Sequence, residues 1–171
     1  GRGAKDFAIF EVGSIFRNSK DLVAAISPEL EKKPSKAKID EIFNSVPAQH
    51  LHLGAILVGK VEDISWRGSS RSYEWSDAIA MAQEILQLCN LEFTVARSDF
   101  APWHPGRCAE LLIDGKPVAH AGELHPRVVE QFSLPARSVA FVINLSALPQ
   151  SPLVRGEGVG AMPPALQDVA L

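Results

Sequence analysis

Residues 108–123 read CAELLIDGKPVAHAGE, in which two apolar runs flank the pair Asp114-Gly115. An Asp-Gly pair suits the tightest hairpin turns, because both central residues of such a turn need positive φ angles. We therefore predict two strands, at residues 108–113 and 118–123, that pair antiparallel across this turn.

Four other segments also have the composition of strands. They are residues 7–16, 51–59, 92–97 and 139–145. Residues 7–16 carry apolar side chains on both faces, so we expect a strand that is covered on both sides. Six strands with a few intervening helices predict an α+β fold, with a largely antiparallel sheet flanked by helices.

The clearest helix is predicted at residues 76–90. Its apolar residues recur at helical spacing and form one stripe that should pack on the sheet. The stripe consists of Ala78, Met81, Ala82, Ile85, Leu86 and Cys89. Ser76 is the expected N-cap, and Ile79 and Leu88 flank the stripe. Shorter helices are predicted around residues 39–43 and at residues 126–132.

The composition is that of a folded, soluble protein. Of 171 residues, 46% are hydrophobic and 22% are charged, which excludes disorder for most of the chain. The net charge of −3 argues against a general polyanion-binding protein. Two cysteines and no long apolar run favour a cytoplasmic location and no membrane association.

The two ends of the sequence suggest a piece of a larger protein. Residue 7 already lies in a predicted strand, and residues 166–171 read as the beginning of another. Residues 149–164 are rich in Pro and Gly, which is typical of a linker. We therefore predict one domain at residues 1–149, followed at residues 150–171 by a linker and the first strand of a truncated domain.

The search for reactive groups predicts no catalytic, cofactor-binding or metal-binding residue. His50 and His52 share one face of a predicted strand, and His120 and His125 lie elsewhere, whereas a metal site needs three or four converging ligands. Three acidic residues fall within apolar strands: Glu11, Glu110 and Glu123. Such a carboxylate can act as an acid or base, but it is more often paired with an arginine, and Arg97 and Arg107 are available.

Two peptides carry a family resemblance. They are His104-Pro105-Gly106-Arg107 and Gly122-Glu123-Leu124-His125-Pro126, and the hairpin turn lies between them. With Phe10-Glu11-Val12-Gly13 before them and Phe141-Val142-Ile143-Asn144-Leu145 after them, their order resembles the catalytic-like module of the beta subunit of bacterial phenylalanyl-tRNA synthetases. Residues 162–171 resemble the first strand of the anticodon-binding domain of that subunit.

The resemblance implies a fold like the core of class II aminoacyl-tRNA synthetases, without its chemistry. It also implies a tetramer of two alpha and two beta subunits that attaches phenylalanine to tRNA with ATP and magnesium. The second class II signature, Arg-x-Glu, is represented here only by Arg17-Asn18-Ser19. We therefore expect this chain alone to be inactive and to bind no cofactor.

The motif residues are expected to have structural roles. They are His104, Pro105, Gly106, Arg107, Glu123, His125 and Pro126. Two alternatives remain open from the residues themselves. One is a free-standing α+β domain that binds a small ligand in a pocket. The other is a hydrolase that uses Glu123 and His125 as a close acid–base pair.

Overall fold

The structure is a computed structural model that describes residues 6–16, 32–45, 47–62, 66 and 68–151. Its main feature is a six-stranded, wholly antiparallel sheet with the strand order β1-β2-β8-β7-β6-β5. The six strands are β1 (Phe7–Phe16), β2 (Gln49–Val58), β5 (Thr94–Arg97), β6 (Trp103–Ile113), β7 (Lys116–Leu124) and β8 (Val139–Asn144). Two short strands, β3 (Lys60–Glu62) and β4 (Arg71–Ser72), form a separate ribbon.

In the described residues, three α-helices accompany the sheet: α1 (Lys36–Ser45), α2 (Trp75–Leu88) and α3 (Pro126–Gln131). The structure thus confirms the predicted α+β fold with a largely antiparallel sheet. None of the helices in the described residues is long and apolar enough to cross a membrane. The predicted linker and truncated domain fall, except for residues 150 and 151, outside the described residues.

The hairpin between β6 and β7 forms as the sequence predicts. Asp114 and Gly115 have φ angles of 51° and 73°, and Ile113 pairs with Lys116 directly beside the turn. The positive φ angles match the right-handed twist of the two strands, which explains the choice of an Asp-Gly pair at this point.

The main core lies between α2 and one face of the sheet. Ala78, Ala82 and Leu86 of α2 are fully buried there. The opposing side chains come from the alternate positions of the central strands: Leu57, Leu111, Ala119, Ala121, Val139, Phe141 and Ile143. This confirms the predicted helical stripe, although Met81 and Ile85 are only partly buried.

The N-cap of α2 differs from the prediction. The cap is Glu74 rather than Ser76, because the backbone N–H of Glu74 donates to Asp77 Oδ2 at 2.7 Å. Arg71 donates to both oxygens of the same carboxylate, at 2.7 and 2.9 Å, and this lowers the pKa of Asp77 below its usual value. A carboxylate in the first turn also interacts favourably with the helix dipole. The helix therefore begins one residue earlier than predicted.

The prediction that β1 is covered on both sides is wrong within the described residues. β1 is an edge strand that pairs only with β2, and Phe10 and Phe16 are 77% and 66% exposed. Apolar side chains on both faces of a strand are typical of strands that other structure covers on both sides. The described part of this chain supplies no such cover, since α2 contacts β6, β7 and β8.

Candidate functional site

The motif His104-Pro105-Gly106-Arg107 forms a bulge within β6. Trp103 pairs with Leu124 of β7, and the next paired residue of β6, Cys108, lies opposite Gly122. Four residues of β6 therefore stand opposite a single residue of β7, Glu123. Such bulges bend a strand and redirect its side chains. Gly106 has a φ of +87°, a conformation that favours glycine and that the Pro-Gly sequence predicts.

The bulge brings Arg107 onto the buried carboxylate of Glu123. Arg107 Nη1 lies 3.0 Å from Glu123 Oε1 and 2.9 Å from Oε2. The Glu123 side chain is 7% exposed and that of Arg107 is 43% exposed. A buried carboxylate is tolerated when it is paired and hydrogen-bonded. The structure therefore favours the arginine-paired interpretation of Glu123 over a free acid or base.

Gly122 is required by the close approach of β6. Its φ is +155°, and an added Cβ would overlap the carbonyl oxygen of Arg107 and lie 2.7 Å from the Cα of Cys108. Gly122 belongs to the second motif but is not among the motif residues predicted to have structural roles. The available signal is a glycine inside a strand, which often marks a place where another backbone comes close.

The two motif histidines make local contacts to the backbone. His104 Nδ1 lies 2.7 Å from the carbonyl oxygen of Pro105. His125 is the N-cap of α3, where its Nδ1 accepts from the backbone N–H of Arg127 at 3.2 Å, and Pro126 occupies the first turn. Proline fits there because its missing N–H would have no partner within the helix. Both histidines therefore shape the backbone.

The thiol of Cys108, next to Arg107, is buried against this motif. It packs with Trp103, Leu124 and Ala140 in a second cluster, on the face of the sheet opposite α2. Burial raises the pKa of Cys108 to about 11. Because the thiolate is the reactive form, this cysteine is a poor nucleophile near neutral pH.

The remaining candidate residues lie on the same face as that second cluster. Glu110 and His120 are cross-strand neighbours, with 3.7 Å between Glu110 Oε2 and His120 Nε2. His50 and His52 lie on β2, and His52 pairs with Asn144 of β8. In the described residues no three His, Cys, Asp or Glu side chains are arranged to hold a metal ion.

Comparison with known proteins identifies the family in which these motifs occur. The family described as the phenylalanyl tRNA synthetase beta chain CLM domain matches residues 1–145. The chain belongs to this family.

Curated relatives agree along nearly the whole chain. The phenylalanine–tRNA ligase beta subunit of Corynebacterium efficiens is 39% identical over 170 residues, which is 99% of this chain and 20% of that protein. Those of Streptomyces avermitilis and Cutibacterium acnes are 37% and 38% identical over 177 and 172 residues. The chain therefore spans about a fifth of the length of the relatives it matches.

Membership of the CLM-domain family confirms the resemblance that the two motifs indicate. The geometry adds that the two motifs meet in space, because β6 and β7 are neighbours and Arg107 binds Glu123 across them. The acid–base pair that a hydrolase needs is not formed by Glu123 and His125. Glu123 is held by Arg107, and the ring nitrogen Nδ1 of His125 accepts from the backbone of α3.

Proposed function

We propose that this chain is a non-catalytic, structural module of the beta subunit of a phenylalanine–tRNA ligase. The proposal rests on one observation: the motif side chains make their contacts with other residues of the same chain. Arg107 neutralises Glu123, and His125 begins α3, so these groups hold β6, β7 and α3 in place. These internal contacts support a structural role for the motif side chains.

The module is proposed to act inside a tetramer of two alpha and two beta subunits. In that assembly the alpha subunit activates phenylalanine with ATP and magnesium and transfers it to tRNA in the cytoplasm. The exposed apolar side chains of Phe10, Phe16 and Leu88 offer surface for a neighbouring subunit or domain. Residues 1–149 constitute the module in this proposal, and residues 150–171 lead into the next domain.

A class II synthetase core-like architecture is part of the same proposal. Its support is a six-stranded antiparallel sheet with α2 packed on one face and the other face partly open. Arg17 and Ser19, where the Arg-x-Glu signature is incomplete, lie outside the described residues. The absence of that glutamate from the sequence supports a core that has lost its chemistry.

Pyrophosphate exchange with phenylalanine and ATP tests the proposal. We expect the isolated chain to give the same exchange as the blank. The matched positive control is the full-length beta subunit with its alpha subunit, which should exchange pyrophosphate in a phenylalanine-dependent way. Phenylalanine-dependent exchange by the isolated chain above the blank would contradict a non-catalytic module.

A further inference from the structure

Two arginines flank Gly106 in the bulge of β6. Arg107 follows this glycine in the chain, and Arg97, the last residue of β5, extends its guanidinium group over it. Arg97 Nη2 lies 3.5 Å from the position that a Cβ on Gly106 would occupy. The missing side chain thus lets two positively charged groups approach the same short stretch of backbone. The proposed structural role of the module makes no use of Arg97.

Most hydrogen-bond donors of these two arginines are unused. Arg107 binds both oxygens of Glu123 through Nη1 alone, and 43% of its side chain is exposed. Its Nη2 and Nε groups therefore keep their N–H donors for another partner. Arg97 is exposed and forms no hydrogen bond or ion pair in the part of the chain that the structure describes. Both guanidinium groups are thus available to an acceptor from outside the chain.

The surroundings of the two arginines leave a net positive charge on one face of the sheet. Arg97 lies opposite Ala109 of β6, on the face that α2 covers. Glu123 belongs to the same face, but it is buried and compensates only one of the two charges. The charge of Asp99 contributes to the raised pKa of Cys108, whose thiol lies on the opposite face. An anion is therefore attracted to the α2 side of the bulge.

Two more arginines stand at the same end of the sheet. Arg127 follows β7 and Arg137 precedes β8, so each of the adjacent strands β8, β7, β6 and β5 has an arginine at this end. Adjacent strands lie about 4.8 Å apart, which gives this row a width of about 15 Å. Glu130 lies on the same helix as Arg127, and Glu74 lines a cavity with Arg137. Within the described ranges, however, neither arginine forms an ion pair.

We propose that Arg97 and Arg107 bind a phosphate group. Guanidinium forks match the oxygens of phosphate, whereas a carboxylate is satisfied by one arginine, as Glu123 shows. Arg107 donates to the phosphate through Nη2 and keeps Glu123 on Nη1, and Arg97 donates from the other side of Gly106. The backbone of RNA and a free nucleotide offer the same chemistry, and the row of arginines favours RNA. The inference goes beyond the proposed function, which uses only one nitrogen of Arg107.

Titration of the ¹⁵N-labelled 171-residue chain with AMP at low salt, followed by NMR, tests the proposal. We expect shifts at the backbone amides of Arg97, Gly106 and Arg107 with AMP and with inorganic phosphate, and none with adenosine, which lacks the phosphate. A short oligoadenylate that binds much more tightly than AMP, and less tightly after Arg137→Gln, would identify RNA as the source of the phosphate. Equal affinities would identify a free nucleotide. Equal binding of a polyglutamate of the same charge would overturn the proposal.

Two variants and a control separate binding from stability. Arg97→Gln removes a side chain without internal contacts, so the fold should persist while AMP binds about tenfold more weakly, the effect of one charge-assisted hydrogen bond. Arg107→Lys keeps a positive charge beside Glu123 but has no second arm, so the unfolding midpoint should stay near that of the parent while binding weakens severalfold. Lys116→Gln removes a charge at the far end of the same hairpin and should bind as the parent does. No shifts with AMP, phosphate or oligoadenylate, or equal affinity of Arg97→Gln and Lys116→Gln, would overturn the proposal.

Discussion

At the level of single residues, Arg107 neutralises the buried carboxylate of Glu123. Arg107→Ala would leave the Glu123 carboxylate buried without its counter-charge. Because Arg107 itself is 43% exposed, solvent would compensate part of the loss, and we expect the free energy of unfolding to fall by about 1–3 kcal/mol. Arg127→Ala, on the exposed side of α3, should change it by less than about 0.5 kcal/mol. Denaturant titration measures both, and equal effects would contradict the ion-pair assignment.

The two motif glycines should differ in how they tolerate a methyl group. At Gly106 the nearest atom to an added Cβ is the Arg97 guanidinium Nη2, at 3.5 Å, so Gly106→Ala has only the positive φ to oppose it, about 1 kcal/mol. At Gly122 the added Cβ would meet the backbone of Arg107 and Cys108. We expect Gly122→Ala to destabilise the fold by more than about 3 kcal/mol, as a strained and overpacked site. Similar unfolding midpoints for the two variants would show that β6 does not approach Gly122 closely.

The buried ring of His120 predicts a pH dependence of stability. Burial lowers its pKa below 6.5, although the nearby Glu110 carboxylate acts in the opposite direction. As the pH falls below 6.5, the unfolded chain binds a proton that the folded chain does not, so the stability decreases. Replacing His120 with Gln should therefore flatten the loss of stability between about pH 7 and 5, by at most about 1.4 kcal/mol per pH unit.

Urea titrations at several pH values compare the parent with His120→Gln. The carboxylate of Asp77, whose pKa is lowered from 3.8, stabilises the fold fully above about pH 5 and loses that stabilisation only at lower pH, so it does not interfere in this range. Parallel pH profiles for the two proteins would contradict a desolvated His120.

At the level of the elements, α2 separates a core position from a surface position two residues away. Leu86 is fully buried against the sheet, whereas Leu88 is 80% exposed. We expect Leu86→Ala to lower the free energy of unfolding by about 2–5 kcal/mol, because it removes buried methyl groups and leaves a cavity. Leu88→Ala is the matched control and should change it by less than about 0.5 kcal/mol. Comparable losses would mean that α2 is rotated relative to this description.

The elements that the sequence predicts best have strong local signals. The Asp114-Gly115 turn, the stripe of α2 and the proline at the start of α3 each depend on neighbours in the chain. The bulge at residues 104–107 and the contact of Gly122 with β6 depend on which strands are adjacent, and spacing alone does not determine that. The N-cap at Glu74 was missed because glutamate is an uncommon cap, and its backbone is held by Asp77.

A pocket of about 410 Å³ on the face of the sheet opposite α2 could not be predicted for the same reason. Its residues come from β1, β2, β7, β8 and the segment before β6, and only the strand order β2-β8-β7 brings His52, Asn144 and His120 together. The exposed position of β1 at the edge of the sheet could not be predicted either, because its apolar residues on both faces are typical of a covered strand. Apolar residues on both faces of β1 are consistent with a module that is covered by other parts of a larger assembly.

At the level of the whole molecule, we propose that this chain is one module of a phenylalanine–tRNA ligase beta subunit. Edge strand β1 and the outer side of α2 present apolar side chains that a monomeric protein seldom exposes. Because the chain covers about a fifth of its relatives' length, we propose that the alpha subunit, together with other beta domains, covers these surfaces.

Co-purification with the alpha subunit tests this central claim most directly. The tagged 171-residue chain and the tagged full-length beta subunit are each co-expressed with an untagged alpha subunit and recovered under the same conditions. We predict that both tagged proteins retain the alpha subunit and that the full-length beta subunit binds it more tightly. Retention of the alpha subunit by the full-length beta subunit, but none by a folded 171-residue chain, would contradict the account.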